Sequence, residues 1–213
     1  MIKINKSKTA SFDVDAQKTF TPLCPGELPV LGGDLIAPEL NAQSRFATLR
    51  IGSKDAHSPK AIWVADEKNP MMSFIMGEDV DVRWPVHAVP GTEGFELLDD
   101  LPQPRDYDFF VWKGIEVDMH PYGSCYHDHA EKLSTGVIEF LRTKNIDTVI
   151  LGGLALDYCV KTTALQLARA GFSVIVNLAA TRGIAEDTTN VALQEMKLEK
   201  IKLIDSSAQL TEA

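Results

Sequence analysis

This sequence of 213 residues lacks the features that mark several protein classes. Its three cysteines are too few, and odd in number, for a disulfide framework, which favours a reducing, cytoplasmic location. No uninterrupted apolar run approaches the roughly 20 residues that a membrane-spanning helix needs, so no membrane partner is expected. The 21 basic residues are outnumbered by 30 acidic ones, and a net charge of -9 argues against a nucleic-acid partner.

A glycine-rich phosphate-binding loop is also missing after the first predicted strand, so no dinucleotide cofactor is expected. What remains is an ordinary globular composition, with 45% hydrophobic and 24% charged residues. A chain of this length can bury one full core, and a single domain over residues 1–213 is predicted.

Short β-rich runs alternate with helical segments. Strands are predicted at Ala10–Val14, Phe46–Ile51, Tyr107–Trp112, Thr148–Leu151, Ser173–Asn177 and Ile201–Ile204. Helices are predicted at Ser134–Lys144, Asp157–Ala170 and Asp187–Lys197, and a loop at Pro22–Pro38. The alternation predicts an α/β fold, a three-layer open and mostly parallel sheet of about six strands flanked by helices.

Reactive side chains follow the predicted strands, where open α/β sheets bind their ligands. Cys159 would lie near a helix start, which favours thiolate, although most free cysteines are small buried hydrophobes. Asp15 is either a turn cap or a functional carboxylate, and Lys113 is either solvated or buried beside a carboxylate. Thiolate, ammonium and carboxylate together would form a coupled proton-transfer set.

Metal-ligand residue types also follow the strands. Asp55, His57 and His87 offer a carboxylate and two imidazoles, although surface histidines and a capping Asp would give the same pattern. A denser group lies in a loop rich in turn residues and is the weaker candidate for a metal: His120, Cys125, His127 and His129.

Five motifs, in order over about residues 10–185, resemble the isochorismatase-like cysteine hydrolases and within them the nicotinamidase/pyrazinamidase family. They are Asp15-x-Gln17-x-x-Phe20, Asp55-x-His57, Trp84-Pro-x-His87, Lys113-Gly114 and Ala155-x-Asp-x-Cys159-Val160. The resemblance implies hydrolysis of nicotinamide, and of pyrazinamide, to the acid and ammonia, with a role in NAD salvage.

The resemblance also implies a catalytic triad. Asp15 would take the proton of Cys159 and pass it to the leaving ammonia, and Lys113 would favour the ionised carboxylate. An oxyanion hole would come from the backbone N–H groups of Ala155 and Cys159, next to a cis peptide between Leu154 and Ala155.

One divalent metal ion is implied as cofactor, zinc first, with iron or manganese as alternatives. Its ligands would be Asp55, His57 and His87. The substrate ring would lie between Phe20 and Trp84, with Gln17 also in the substrate site. A further family ligand has no clear equivalent here, and water, Asp66 or Glu67 is expected to fill its place.

Asp13 stands where family members usually have an apolar residue. Strand alternation puts it on the same face as Asp15, which leads to the hypothesis that it raises the pKa of Asp15. Two other functions remain open: a related hydrolase acting on another amide or on isochorismate, and a non-catalytic binding module. The family also implies a homo-oligomer.

Overall fold

The computed structural model describes residues 1–213. Its strands are β1 (Ile2–Ile4), β2 (Thr9–Val14), β3 (Leu49–Asp55), β4 (Phe109–Lys113), β5 (Thr148–Leu154), β6 (Ser173–Arg182), β7 (Lys202–Ile204) and β8 (Leu210–Glu212). Its α-helices are α1 (Ala37–Ser44), α2 (Val137–Thr143), α3 (Lys161–Arg169) and α4 (Glu186–Leu198). No helix is both long enough and apolar enough to cross a bilayer.

Six strands form one parallel sheet in the order β4-β3-β2-β5-β6-β7, and the predicted α/β fold is therefore confirmed. β2 lies inside the sheet, and all six of its residues are buried. Alternation along β2 sends Phe12 and Val14 into a cluster with Val137 of α2 and Leu167 of α3. On the opposite face, the Ser11 hydroxyl accepts a hydrogen bond from the Gln43 amide of α1, so helices cover both faces.

Strand ends differ from the prediction mainly where polar residues are buried. β3 continues to Asp55, past the predicted end at Ile51, because Ser53 and Lys54 pair with β4 inside the sheet. β6 continues to Arg182, past the predicted end at Asn177, because Thr181 and Arg182 pair with β5.

Helix starts show the second group of differences. α1 lies at Ala37–Ser44, overlapping the predicted loop, and Pro38 suits its first turn because proline needs no N–H partner there. α2 begins at Val137, three residues after the predicted start. Gly136 precedes it with φ 89°, and its N–H donates to the Ser134 hydroxyl at 3.0 Å.

The sequence predicted that a helix starts at Asp157, but Asp157 does not cap that helix. The segment Leu156–Val160 forms a π-helical turn, and α3 starts only at Lys161. The Asp157 carboxylate instead accepts hydrogen bonds from the N–H of Ile184 at 3.0 Å and the hydroxyl of Thr188 at 2.5 Å, which anchors the start of α4. The predicted stop at Gly171, which has φ 95°, agrees with the end of α3.

Candidate active site

Four neighbouring strands deliver the reactive side chains to one edge of the sheet. Asp55 and Lys113 end β3 and β4 and stand opposite each other in register. Asp15 follows β2 with φ 45°, which turns it out of the strand alternation. Cys159 follows β5 within the π-helical turn. Since the strands are parallel and adjacent, their carboxyl ends meet, as the sequence indicated.

Lys113 lies at the centre of the charged cluster. Its Nζ is 3.1 Å from Asp15 Oδ2 and 3.8 Å from Cys159 Sγ, and it donates to the Pro121 carbonyl at 3.1 Å. The side chains of Asp15, Lys113 and Cys159 are all buried. The predicted triad residues are therefore adjacent, away from water, with a cation between a carboxylate and a thiol.

Asp55 joins this cluster to the histidines. Its Oδ1 forms an ion pair with Lys113 and lies 3.5 Å from His57 Nε2. Its Oδ2 accepts a hydrogen bond from the Cys159 thiol at 3.9 Å. The sequence analysis assigned Asp55 only to the metal site, but Asp55 also faces Cys159.

The local environment shifts the pKa of each triad member. Burial raises the pKa of Asp15 to about 6, against the opposing effect of the Lys113 charge. Burial also raises the pKa of Cys159 well above its ordinary value, although Lys113 lowers it. Burial alone would lower the pKa of Lys113, but Asp15 and Asp55 raise it, so Lys113 is an ammonium.

Burial therefore favours the thiol form of Cys159. The sequence suggested that a helix start would favour thiolate, but desolvation dominates at a buried sulfur that precedes α3 in a π-helical turn. The sulfur can become a nucleophile only when a neighbouring base takes its proton. The Cys159 sulfur and the carboxylate oxygens of Asp15 and Asp55 lie within 4.8 Å of one another.

Ser53 fixes the orientation of Asp15 and was not identified from the sequence. Its hydroxyl donates to Asp15 Oδ1 at 2.6 Å and accepts from the Asp15 N–H at 3.2 Å. The hydroxyl of Ser124 lies 2.9 Å away. A serine inside a strand carries no chemical signature, so only the fold shows this contact.

Asp13, which was hypothesised to act on Asp15, has partners of its own. Its carboxylate pairs with the Arg50 guanidinium at 2.7 Å and accepts from the Tyr107 hydroxyl at 2.8 Å. Burial is the largest cause of the raised pKa of Asp15, and Asp55 is the carboxylate that adds to it. Asp15 also leaves the alternation of β2 at its positive φ, so alternation no longer places the two carboxylates on one face of the strand.

Three buried histidines form a second cluster beside Asp55. Ring nitrogens of His57, His87 and His120 lie within 4.8 Å of one another. His57 Nδ1 is 2.9 Å from the Gly114 carbonyl, and His87 Nδ1 is 2.7 Å from the Pro85 carbonyl. A carbonyl only accepts, so each Nδ1 carries the proton and each Nε2 keeps a lone pair.

This histidine cluster fits a divalent metal ion. His57 Nε2 and both ring nitrogens of His120 are buried without a hydrogen-bond partner, a costly arrangement unless an ion is bound. Burial lowers the pKa of His87 to about 3 and lowers that of His120 as well. Neutral imidazoles are the form that binds metal.

Asp66 and Glu67 do not extend the cluster. Both are exposed, and the Asp66 carboxylate accepts the N–H groups of Lys68 and Asn69 at 2.8 Å within its own turn. His120, from the loop group that was the weaker metal candidate, is the residue beside His57 and His87 instead. Its loop folds back over the edge of the sheet, which its spacing in the sequence does not reveal.

An aromatic cavity opens onto Cys159. It is lined by Phe20, Leu28, Asp55, Trp84, His87, His120, Tyr122, Ala155, Tyr158, Cys159 and Ile184. Trp84 and Tyr158 meet edge to face, with ring centroids 5.0 Å apart. Phe20 and Trp84 lie in this wall, as expected for a flat ligand, while Tyr122 and Tyr158 were not foreseen.

Gln17 lies elsewhere than predicted. Its amide donates to the Asp55 carbonyl at 2.9 Å and to the Phe95 carbonyl at 3.2 Å, and it accepts from the Asp55 N–H at 2.8 Å. The side chain is fully buried and is not among the residues that line the cavity. It therefore positions the backbone of Asp55.

The backbone beside the sulfur has the predicted cis peptide between Leu154 and Ala155. Ala155 accepts hydrogen bonds from the N–H groups of Tyr158 at 3.2 Å and Val160 at 3.1 Å, which close the turn around Cys159. Ala155 and Cys159 both face the cavity. Their assignment as oxyanion-hole donors stays a prediction.

The chain is similar to known proteins in both sequence and structure. Residues 55–208 match the model of the isochorismatase domain. A nicotinamidase of Acinetobacter baylyi is 31% identical over 197 residues, covering 91% of this chain and 90% of that protein.

Solved structures give the same result. A nicotinamidase/pyrazinamidase of Acinetobacter baumanii superposes with a TM-score of 0.86 at 28% identity, covering 95% of this chain and 97% of that one. A pyrazinamidase of Pyrococcus horikoshii, solved in complex with zinc, has a TM-score of 0.73 at 29% identity, covering 92% and 98%.

Proposed function

This chain belongs to the isochorismatase family, within its nicotinamidase/pyrazinamidase branch, and on that premise we propose that it hydrolyses nicotinamide to nicotinic acid and ammonia. One observation carries the proposal: Lys113 Nζ lies 3.1 Å from Asp15 and 3.8 Å from the Cys159 sulfur, directly beside an aromatic cavity. Such a set suits attack on a flat aromatic amide.

The aromatic wall selects the substrate. Phe20, Trp84 and Tyr158 offer ring surface to a pyridine or pyrazine ring, and the carboxamide would point towards Cys159. Pyrazinamide fits the same description and is proposed as a second substrate.

The first half of the reaction transfers the acyl group to sulfur. The Cys159 proton moves to Asp15 while the sulfur forms a bond to the carboxamide carbon. The C–N bond then breaks, and Asp15 returns the proton to the departing nitrogen, so ammonia leaves and a thioester remains. A pKa of Asp15 near 6 suits both roles at neutral pH.

The second half releases the acid. Water enters in place of ammonia, gives a proton to Asp15 and bonds to the thioester carbon. The C–S bond breaks, the sulfur regains the proton, and nicotinic acid leaves. Lys113 remains charged and balances whichever neighbour is negative at each stage.

Asp55, His57 and His87 would hold the divalent metal ion, for which we propose zinc. The zinc-bound relative and the lone pairs on the histidine Nε2 atoms support this choice. When bound, the ion supplies a Lewis-acid contact for a ring nitrogen of the substrate.

Ammonia release from nicotinamide tests the proposal. It should be measured for the protein as purified, after chelation and after return of zinc, with Cys159→Ala as the control. Turnover that requires both the metal and Cys159 is expected. If the zinc-loaded protein turns over isochorismate or an aliphatic amide but not nicotinamide, the proposed substrate is wrong.

We further propose a cytoplasmic location and a homo-oligomer. Cys24, Cys125 and Cys159 are all free, which suits a reducing compartment. Phe74 and Met76 are 74% and 86% exposed, a degree of apolar exposure that a subunit contact would cover. A place in NAD salvage stays a prediction.

A further inference from the structure

We propose that His120 is a direct ligand of the metal ion, so that this chain binds it through three imidazoles together with Asp55. The inference deepens the proposed function, on which it rests, because it adds a residue to the same metal site. Neither the family motifs nor the spacing of the sequence assigns His120 to that site.

The first observation is that neither ring nitrogen of His120 makes a hydrogen bond. The side chain is buried, with 4% of its surface exposed, and neither Nδ1 nor Nε2 has a hydrogen-bond partner. A neutral imidazole carries one donor and one acceptor, and leaving both unpaired in a protein interior is costly. Coordination through one nitrogen would remove much of that cost.

The second observation is what the ring faces. His120 stacks on His57 with centroids 5.0 Å apart and planes 19° from parallel, and a nitrogen of each ring lies within 4.8 Å of the other and of His87. His57 Nε2 is also without a hydrogen-bond partner. One cation could therefore coordinate the unpaired nitrogens of both imidazoles.

The third observation is that His120 is held in place from outside the cluster. Its N–H donates to the Asp79 carbonyl at 2.8 Å, and its own carbonyl lies 2.9 Å from His129 Nε2. Trp63 packs edge-on against the ring at 4.4 Å. A side chain fixed by both its backbone and its neighbours is a preorganised ligand.

Coordination by His120 has a chemical consequence. Three nitrogen ligands and one carboxylate favour zinc, cobalt or nickel over manganese or magnesium, which prefer oxygen. The site is therefore expected to discriminate against manganese more strongly than an Asp-His-His site would.

Metal binding by matched variants tests the inference without using the reaction. His120→Phe removes both nitrogens but keeps a flat ring between His57 and Trp63. His127→Phe is the matched control, because His127 lies on the same loop outside the histidine cluster, and His87→Phe calibrates the loss of an assigned ligand. For each metal-free protein, unfolding in urea reports the fold, and chelator competition gives the affinity for zinc and cobalt.

We expect His120→Phe to weaken zinc and cobalt binding at least about 100-fold, close to the effect of His87→Phe, whereas His127→Phe leaves it unchanged. X-ray absorption of the cobalt-loaded proteins should count one imidazole fewer in His120→Phe than in the wild type. If the variant itself unfolds, the same imidazole count on the wild type decides between three and two histidine ligands.

Unchanged metal affinity and an unchanged imidazole count in His120→Phe would overturn the inference. A rise in KM for nicotinamide with unchanged metal binding would do the same, because it would assign His120 to the substrate wall. If the metal measurements come out as expected but zinc-loaded wild type does not hydrolyse nicotinamide, the proposed function fails and the ligand role of His120 stands.

Discussion

Asp55 divides the site into two halves, in which buried polar groups are compensated differently. The triad half consists of Asp15, Lys113 and Cys159, and the histidine half consists of His57, His87 and His120. In the triad half, the Lys113 cation pairs directly with the carboxylates of Asp15 and Asp55, so each carboxylate has a protein cation beside it. In the histidine half, His57 Nε2 and both nitrogens of His120 are left without partners. The charged groups of the triad half thus have protein partners, whereas the unpaired nitrogens of the histidine half suit a bound cation.

This contrast separates proton transfer from metal binding. In the proposed reaction, the proton moves between the Cys159 thiol and the Asp15 carboxylate, while Lys113 stays charged beside both. Burial lowers the pKa of His87 and of His120, which favours the neutral form that binds a cation. Variants of the triad half should therefore lose activity, whereas variants of the histidine half should lose metal binding.

Cys159→Ala gives the largest expected effect and tests that separation. Loss of the sulfur removes covalent catalysis, so kcat for nicotinamide should fall at least about 1,000-fold. Zinc content, measured by elemental analysis, should stay at the wild-type level because the sulfur lies in the triad half. Simultaneous loss of zinc would show that the halves are one unit.

Lys113→Gln tests whether the triad half is complete by itself. Removing the cation leaves Asp15 and Asp55 buried without a charge partner, which should destabilise the fold by about 3–5 kcal/mol in urea unfolding. Activity should fall together with stability. Lys54→Gln, a buried lysine with one weaker ion pair at 3.9 Å to Glu96, serves as the matched control and should lose less.

Asp13→Asn tests whether Asp13 lies outside the triad half. Asp13 lies in a separate ion pair with Arg50, so the variant should lose about 2 kcal/mol of stability through the weakened buried contact. The acid limb of kcat/KM should stay where it is in the wild type. A displaced limb would restore the hypothesis that Asp13 acts on Asp15.

Ser53→Ala gives the smallest expected effect, a shift of the acid limb of kcat/KM whose direction follows from the contact between Ser53 and Asp15. The Ser53 hydroxyl lowers the pKa of Asp15, so its loss should raise that pKa above about 6. Asp15 must be ionised to accept the Cys159 proton, and the acid limb of kcat/KM should therefore move to higher pH, by about one unit. A limb that stays in place or moves to lower pH contradicts the assignment of Asp15 as base.

The sequence predicted the sheet well because its signals are local. Apolar runs such as Val149–Leu151 in β5 and Val174–Val176 in β6 indicate buried parallel strands wherever they occur. Helix ends were less accurate, since Ser134 and Asp157 resemble caps in sequence but use their oxygens elsewhere.

Within the site, the sequence determined which chemistry is available, and its motifs identified Asp15, Lys113, Cys159 and the histidines His57 and His87 as candidates. Only the tertiary structure decided their surroundings: the burial that raises the pKa of Cys159, the hydroxyl of Ser53 on Asp15, and the placement of His120. The reason is physical. A residue type fixes which bonds a side chain can form, but desolvation and the identity of its neighbours depend on chain segments that lie far apart in the sequence.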